Sequence, residues 1–138
     1  MNRAVIALGS NIDPKEHVAA AQAQIAAGHR LLGTSRFVIT QPIGPQDQPS
    51  FLNGCVLIET DMGLESLRQW LKDLEDRLGR VRTSDKFGPR TIDLDVVAWN
   101  GQIVDEDVYS RDFLQEAVRE LLPTLCVERT PIKRGPRG

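Results

Sequence analysis

Apolar positions change period along this chain, and each change marks an element. Ala4-Val5-Ile6-Ala7-Leu8 is a short apolar run ended by Gly9-Ser10-Asn11, which predicts a first strand over about residues 3–8. Asp13-Pro14 signals a helix start, and the alanine-rich stretch from Lys15 to about Ala27 predicts a helix that stops near Gly28. Phe37-Val38-Ile39-Thr40 reads as a second strand and Phe51 to Glu59 as a third. Between them, Pro42, Pro45 and Pro49 make a stiff loop that cannot pair regularly. Leu64, Leu67, Leu71, Leu74 and Leu78 alternate at spacings of three and four, the apolar stripe of a helix. That stripe is too short for a coiled coil and is expected to pack on a core. Gly79 ends the helix, and Ile92 to Val97 alternates with period two as a fourth strand. A last helix is predicted from about Phe113 to Leu122, stopping before Pro123.

The order β-α-β-β-α-β, then a helix, is the ferredoxin-like α+β pattern: an antiparallel sheet with helices packed on one face. A chain of 138 residues that is 41% hydrophobic can build its own core. One domain over residues 1–128 is expected, followed by a loose basic tail, 129–138, holding Lys133, Arg134 and Arg137. The charge balance is 17 Lys and Arg against 19 Asp and Glu, which argues against nucleic acid as a partner. No apolar run approaches the ~20 residues that cross a bilayer, and the first strand is too short for a secretory signal. Cys55 and Cys126 have no metal-binding spacing, so reduced thiols in a cytoplasmic protein are expected. The expected partners are small molecules, with the chain as a monomer.

The chemistry concentrates on Asp93-Leu94-Asp95. Two residues apart on a strand, the carboxylates share a face about 6.6 Å apart along the chain, while Ile92, Leu94 and Val96 turn to the core. Such a pair repels itself unless a cation lies between, and hard oxygen donors in ones and twos suit Mg²⁺. A solvated acidic face is the plainer alternative. Immediately upstream, Arg80, Arg82, Lys86 and Arg90 form a cationic loop able to hold phosphate oxygens, or simply to pair with the nearby acids. Phe51 and Asn53 offer an aromatic face and an amide on one strand face, suited to a flat heterocycle or to a core Phe beside a capping Asn. His17 and His29 lie in or beside the first helix, so a Ser-His-Asp or Cys-His arrangement is disfavoured. Zinc lacks a ligand set, and no Walker-type loop is present.

The run Lys86-Phe87-Gly88-Pro89-Arg90-Thr91-Ile92-Asp93-Leu94-Asp95-Val96-Val97 resembles the signature of the 6-hydroxymethyl-7,8-dihydropterin pyrophosphokinases. Ala7-Leu8-Gly9-Ser10-Asn11, Gly44 to Asn53, and Leu78-Gly79-Arg80-Val81-Arg82 extend the likeness in order and spacing over about residues 4–100. The resemblance implies a ferredoxin-like enzyme of folate biosynthesis. It would transfer pyrophosphate from ATP to the pterin hydroxymethyl, with two Mg²⁺ ions, releasing AMP. On that reading Asp93 and Asp95 are the metal ligands and act in catalysis with Arg80 and Arg90. Lys72, Glu75, Arg82, Lys86, Phe87 and Arg111 bind ATP, with Arg90 on a loop that closes over the site. Thr40, Ile43 through its backbone, Phe51, Asn53 and Phe113 bind the pterin, the two rings by stacking. After about residue 101 the sequence departs from the family pattern. The His-Pro element before Arg111-Asp112-Phe113 is missing, and Asp105-Glu106-Asp107 makes the shortened segment acidic, which predicts weakened ATP binding. Two other readings compete: a pterin-binding paralogue without efficient transfer, and a pyrophosphokinase for a related bicyclic alcohol.

Overall fold

A computed structural model describes residues 1–41, 49–79 and 91–123. Among these residues six strands form one antiparallel sheet: β1 (Asn2–Ser10), β2 (Arg30–Thr34), β3 (Val38–Thr40), β4 (Phe51–Thr60), β5 (Asp93–Trp99) and β6 (Gln102–Ile103). Three helices accompany it: α1 (Pro14–Gly28), α2 (Leu64–Arg77) and α3 (Asp112–Leu121). β1 sits centrally, antiparallel to β4 on one side and β5 on the other. This place suits its continuous apolar run, because a central strand covered on both faces has no polar side to show.

The alternation within β1 sorts two cores. Ala4, Ile6 and Leu8 meet Val18, Ala21 and Ile25 of α1 and Leu67, Leu71 and Leu74 of α2. The leucine stripe therefore packs as its spacing predicts, with Leu64 and Leu78 at its half-buried ends. Val5 points the other way, to a second cluster with Cys55, Val97 and Ala98 that Leu114, Ala117 and Val118 of α3 cover. The two helices of the βαββαβ unit thus share one face, while the helix after the unit lies on the opposite one. Val97 follows the alternation onto this face, and Ala98 joins it because the β1–β5 register shifts between Val5 and Ile6, which sets Ala98 opposite Val5. Burial under α3 pushes the Cys55 thiol up to about 12, leaving it a packing group rather than a nucleophile.

Three elements add to the expected order. β2 pairs with β4 upstream of β3, so an unpredicted strand precedes the one expected over residues 37–40 and takes the same partner. Arg30-Leu31-Leu32-Gly33-Thr34 has no alternation to betray it, because it forms an edge strand with both leucines partly in solvent. β6 follows β5 through Asn100-Gly101, both at positive φ, the two-residue turn that Asn-Gly favours. Residues 106–109 make a 3-10 turn whose Val108 is fully buried in the second core. Gly79, at φ +94°, ends the path of α2 where a side chain would be strained. The basic tail, 129–138, lies outside the described residues, as does Cys126.

His29, just past α1, is held edge-on to Trp70 at 4.5 Å between ring centres, with Nδ1 2.9 Å from Thr60 Oγ1. Its Nε2 is buried with no hydrogen-bond partner. Burial lowers its pKa from the ordinary 6.5, so the neutral ring is the form the fold prefers. As pH falls through about 6.5, the unfolded chain takes up this proton before the folded one, and stability declines towards the lower folded value. Urea midpoints measured from pH 7.5 to 5.5 should fall for the native sequence and fall less for His29→Gln. Equal slopes for the two proteins would remove His29 as the cause.

Candidate active site

The site residues gather at one end of the sheet because of register. Gly9 of β1 lies opposite Asn53 of β4 on one side and Asp93 of β5 on the other, and Asn53 lies opposite Val38 of β3. Directly opposed residues of an antiparallel sheet point to the same face. Asn53 and Asp93 therefore share the α3 face of the sheet, two strand spacings or about 10 Å apart. Asp95, opposite Ala7, is on the same face. Asp93 is half-buried and Asp95 exposed, between the buried Ile92, Leu94 and Val96. The alternation that the sequence predicted is realised.

On the β4 side, Asn53 Nδ2 donates to Thr40 Oγ1 at 2.6 Å, and Thr40 lies opposite Phe51. Thr40, Phe51 and Asn53 are each half-buried, so their polar atoms and ring remain within reach of a ligand. This arrangement depends on Gly9. A Cβ there would stand 2.4 Å from Asn53 Oδ1, closer than real carbons approach. Sequence reading took Gly9-Ser10-Asn11 as a strand exit and missed both this space and the role of Asn11. The Asn11 side chain is buried and donates from Nδ2 to Pro49 O at 3.1 Å, tying the end of β1 to the residues that lead into Phe51.

On the β5 side, β6 pairs only with Ala98 and Trp99, so no strand among the described residues covers the edge at residues 93–96. A cleft of ≈ 590 Å³ follows that edge, walled by α2 and by residues 104–106. It brings together Lys72 and Glu75 of α2 with Asp93 and Asp95, four of the residues singled out from sequence. Glu75 is almost fully buried, and its Oε2 accepts the Leu94 N–H at 2.7 Å. Asp105 and Glu106 also face the cleft. Among the described lining residues six carboxylates stand against two cations, Arg68 and Lys72, so an anion there needs positive charge from elsewhere.

The remaining candidates divide. Arg111 Nε lies 3.9 Å from Asp107 Oδ2, an ion pair across the 3-10 turn. Phe113 packs on the second core and lines a groove with Val38, the register partner of Asn53, but makes no ring contact with Phe51. Ile43, Arg80, Arg82, Lys86, Phe87 and Arg90 lie outside the described residues.

The donor set fits a hard divalent cation. Asp93 and Asp95 supply oxygen only, no His or Cys is among the described residues that line the cleft, and both aspartates reach solvent. No cluster of three His, Cys, Asp or Glu among the described residues could hold an ion alone. The pair would therefore share its ion with water and substrate oxygens, the habit of Mg²⁺.

A ferredoxin-like sheet carrying an acidic pair on one strand beside an open cleft, and an amide and an aromatic ring on another strand, has the features of a small group-transfer enzyme. Comparison with known proteins specifies the class. The model of the 7,8-dihydro-6-hydroxymethylpterin-pyrophosphokinase family matches residues 5–123, past the shortened segment and through α3. The 2-amino-4-hydroxy-6-hydroxymethyldihydropteridine pyrophosphokinase of Haemophilus influenzae is 34% identical, over 96% of this chain and 89% of its own. Enzymes of the same name from Methylorubrum extorquens and Pseudomonas aeruginosa are 40% and 37% identical, over 92% and 76% of this chain and 87% and 66% of theirs. The chain belongs to the pyrophosphokinase family, and is a transferase of that class. No helix among the described residues is long and apolar enough to cross a membrane.

Proposed function

We propose that this protein transfers the β,γ-pyrophosphoryl group of ATP to the hydroxymethyl group of 6-hydroxymethyl-7,8-dihydropterin, giving AMP and the pterin diphosphate. The observation that carries the reading is the cross-strand row Asn53–Gly9–Asp93. It aligns a heterocycle reader with a carboxylate pair across a residue that has no side chain to separate them. Asn53 reads the edge of the pterin with its remaining amide hydrogen and its carbonyl, held in plane by Thr40, while Phe51 stacks on the ring. The triphosphate lies along the β5 edge between α2 and residues 104–106. Asp93 and Asp95 would hold Mg²⁺, which when bound neutralises the phosphate oxygens and polarises the phosphorus under attack. The pterin hydroxyl oxygen forms a bond to the β-phosphorus, the bond from that phosphorus to the oxygen retained by AMP breaks, and the hydroxyl proton passes to water. Arg80 and Arg90 would stabilise the charge that develops, and Arg82 and Lys86 would supply more of the positive charge that the acidic cleft lacks.

The test is AMP formation from Mg-ATP with and without the pterin, over a wide range of ATP. Pterin-dependent AMP that saturates only at high ATP is expected, because Asp105 and Glu106 line the nucleotide side. No pterin-dependent AMP at any ATP concentration, with the pterin still bound in calorimetry, would make the protein a binder and overturn the reading.

A further inference from the structure

The two aspartates stand on a stretch of β5 whose outer side has no strand partner among the described residues. β5 is paired with β1 throughout residues 93–96, but on its other side β6 reaches only Ala98 and Trp99. An edge of this kind is free to twist and bulge, and a shift in backbone moves a side chain on it directly. The Leu94 N–H, midway between Asp93 and Asp95, is nevertheless satisfied. It donates to Glu75 Oε2 at 2.7 Å, in a bond buried within the protein. Glu75 comes from the last turns of α2, whose Leu71 and Leu74 are locked in the first core, and its own exposure is 2%. A carboxylate acceptor makes this bond stronger than a neutral one, and its burial keeps water from competing. Leu94 itself is anchored in the same core.

We infer that Glu75 is a positioning residue: it fixes the β5 backbone at Leu94, and through it the spacing of the Asp93 and Asp95 carboxylates, rather than contacting the nucleotide. The inference rests on the proposed function only in taking those aspartates as the metal pair. What matters on this account is the reach of an acceptor oxygen to the Leu94 nitrogen. The negative charge of Glu75 is secondary.

Two variants separate reach from charge. Glu75→Gln keeps the length and an acceptor oxygen but loses the charge. Glu75→Asp keeps the charge but withdraws the oxygen by one methylene. Mn²⁺ titrated against each protein with a non-hydrolysable ATP analogue, followed by electron paramagnetic resonance, reads the metal pair without turnover. Glu75→Gln should bind Mn²⁺ within about threefold of the native protein, and Glu75→Asp at least tenfold more weakly. Exchange of the Leu94 amide with deuterated water should be slow in the native and Gln proteins and faster in the Asp variant. The reverse order of Mn²⁺ affinities would show that charge, not reach, is what the site needs, and would overturn the inference. Equal affinities for all three proteins would overturn it too. If the native protein binds no Mn²⁺ with the analogue, it is the proposed function that fails, and the amide exchange still reports whether Glu75 holds Leu94.

Discussion

Asp95→Ala folds, still binds the pterin, and transfers pyrophosphate at least about a thousandfold more slowly. Asp95 is exposed on the strand face that carries Asp93, and truncating an exposed side chain disturbs packing little. The chemical cost is of another order. A metal ion contributes several kcal/mol of charge stabilisation in phosphoryl transfer, and each 1.36 kcal/mol is tenfold in rate. With one ligand of the pair removed, the remaining carboxylate cannot hold the ion in place against water. Asn53 and Phe51 stand two strands away and keep their geometry, so pterin affinity in calorimetry should stay within about threefold of native. Rapid-quench measurement of AMP under single-turnover conditions checks the rate. Transfer within tenfold of the native rate would remove Asp95 from the metal pair.

Gly9→Ala should produce the opposite pattern. The added Cβ falls 2.4 Å from Asn53 Oδ1, and the amide cannot swing aside without giving up its 2.6 Å bond to Thr40. Loss or misdirection of one or two such hydrogen bonds costs about 1–3 kcal/mol, or roughly tenfold to a hundredfold in affinity. Pterin binding should weaken by that factor, while Mn²⁺ and ATP-analogue binding on the β5 side stays near native. Calorimetry with the pterin alone decides the matter. A native dissociation constant in Gly9→Ala would mean that Asn53 does not read the ring.

Much of this was legible in the sequence because it follows from period. The alternation of Ile92 to Val97 placed two carboxylates on one face, and the three-four spacing of the leucines placed α2 on the core. Phe51 and Asn53, two apart, were assignable to one strand face in the same way. What was hidden follows from pairing, which no local pattern encodes. That Gly9 lies between Asn53 and Asp93 is a matter of register with two strands that both follow it, 44 and 84 residues further along the chain. Glu75 was assigned to ATP by the resemblance alone; in the structure it accepts from a backbone nitrogen nineteen residues away. β2 escaped because an edge strand with exposed leucines has neither alternation nor a buried run. The Asn100-Gly101 turn was a readable hairpin signal that the short β6 made easy to pass over.

The placement of α3 has a consequence for how binding and folding are joined. The helix covers only part of its sheet face: Val5, Cys55 and Val97 are sealed beneath it, and the next row along β4 and β1 is Asn53 and Gly9. From there on Asn53 and Phe51 are left half in solvent, and Val38, the partner of Asn53, lines a groove with Phe113 of α3. A flat ligand seated on that face would extend the second core by one layer, touching the same strands that α3 touches. The substrate then belongs to the packing as well as to the reaction, and its binding free energy adds to the stability of the native state by mass action.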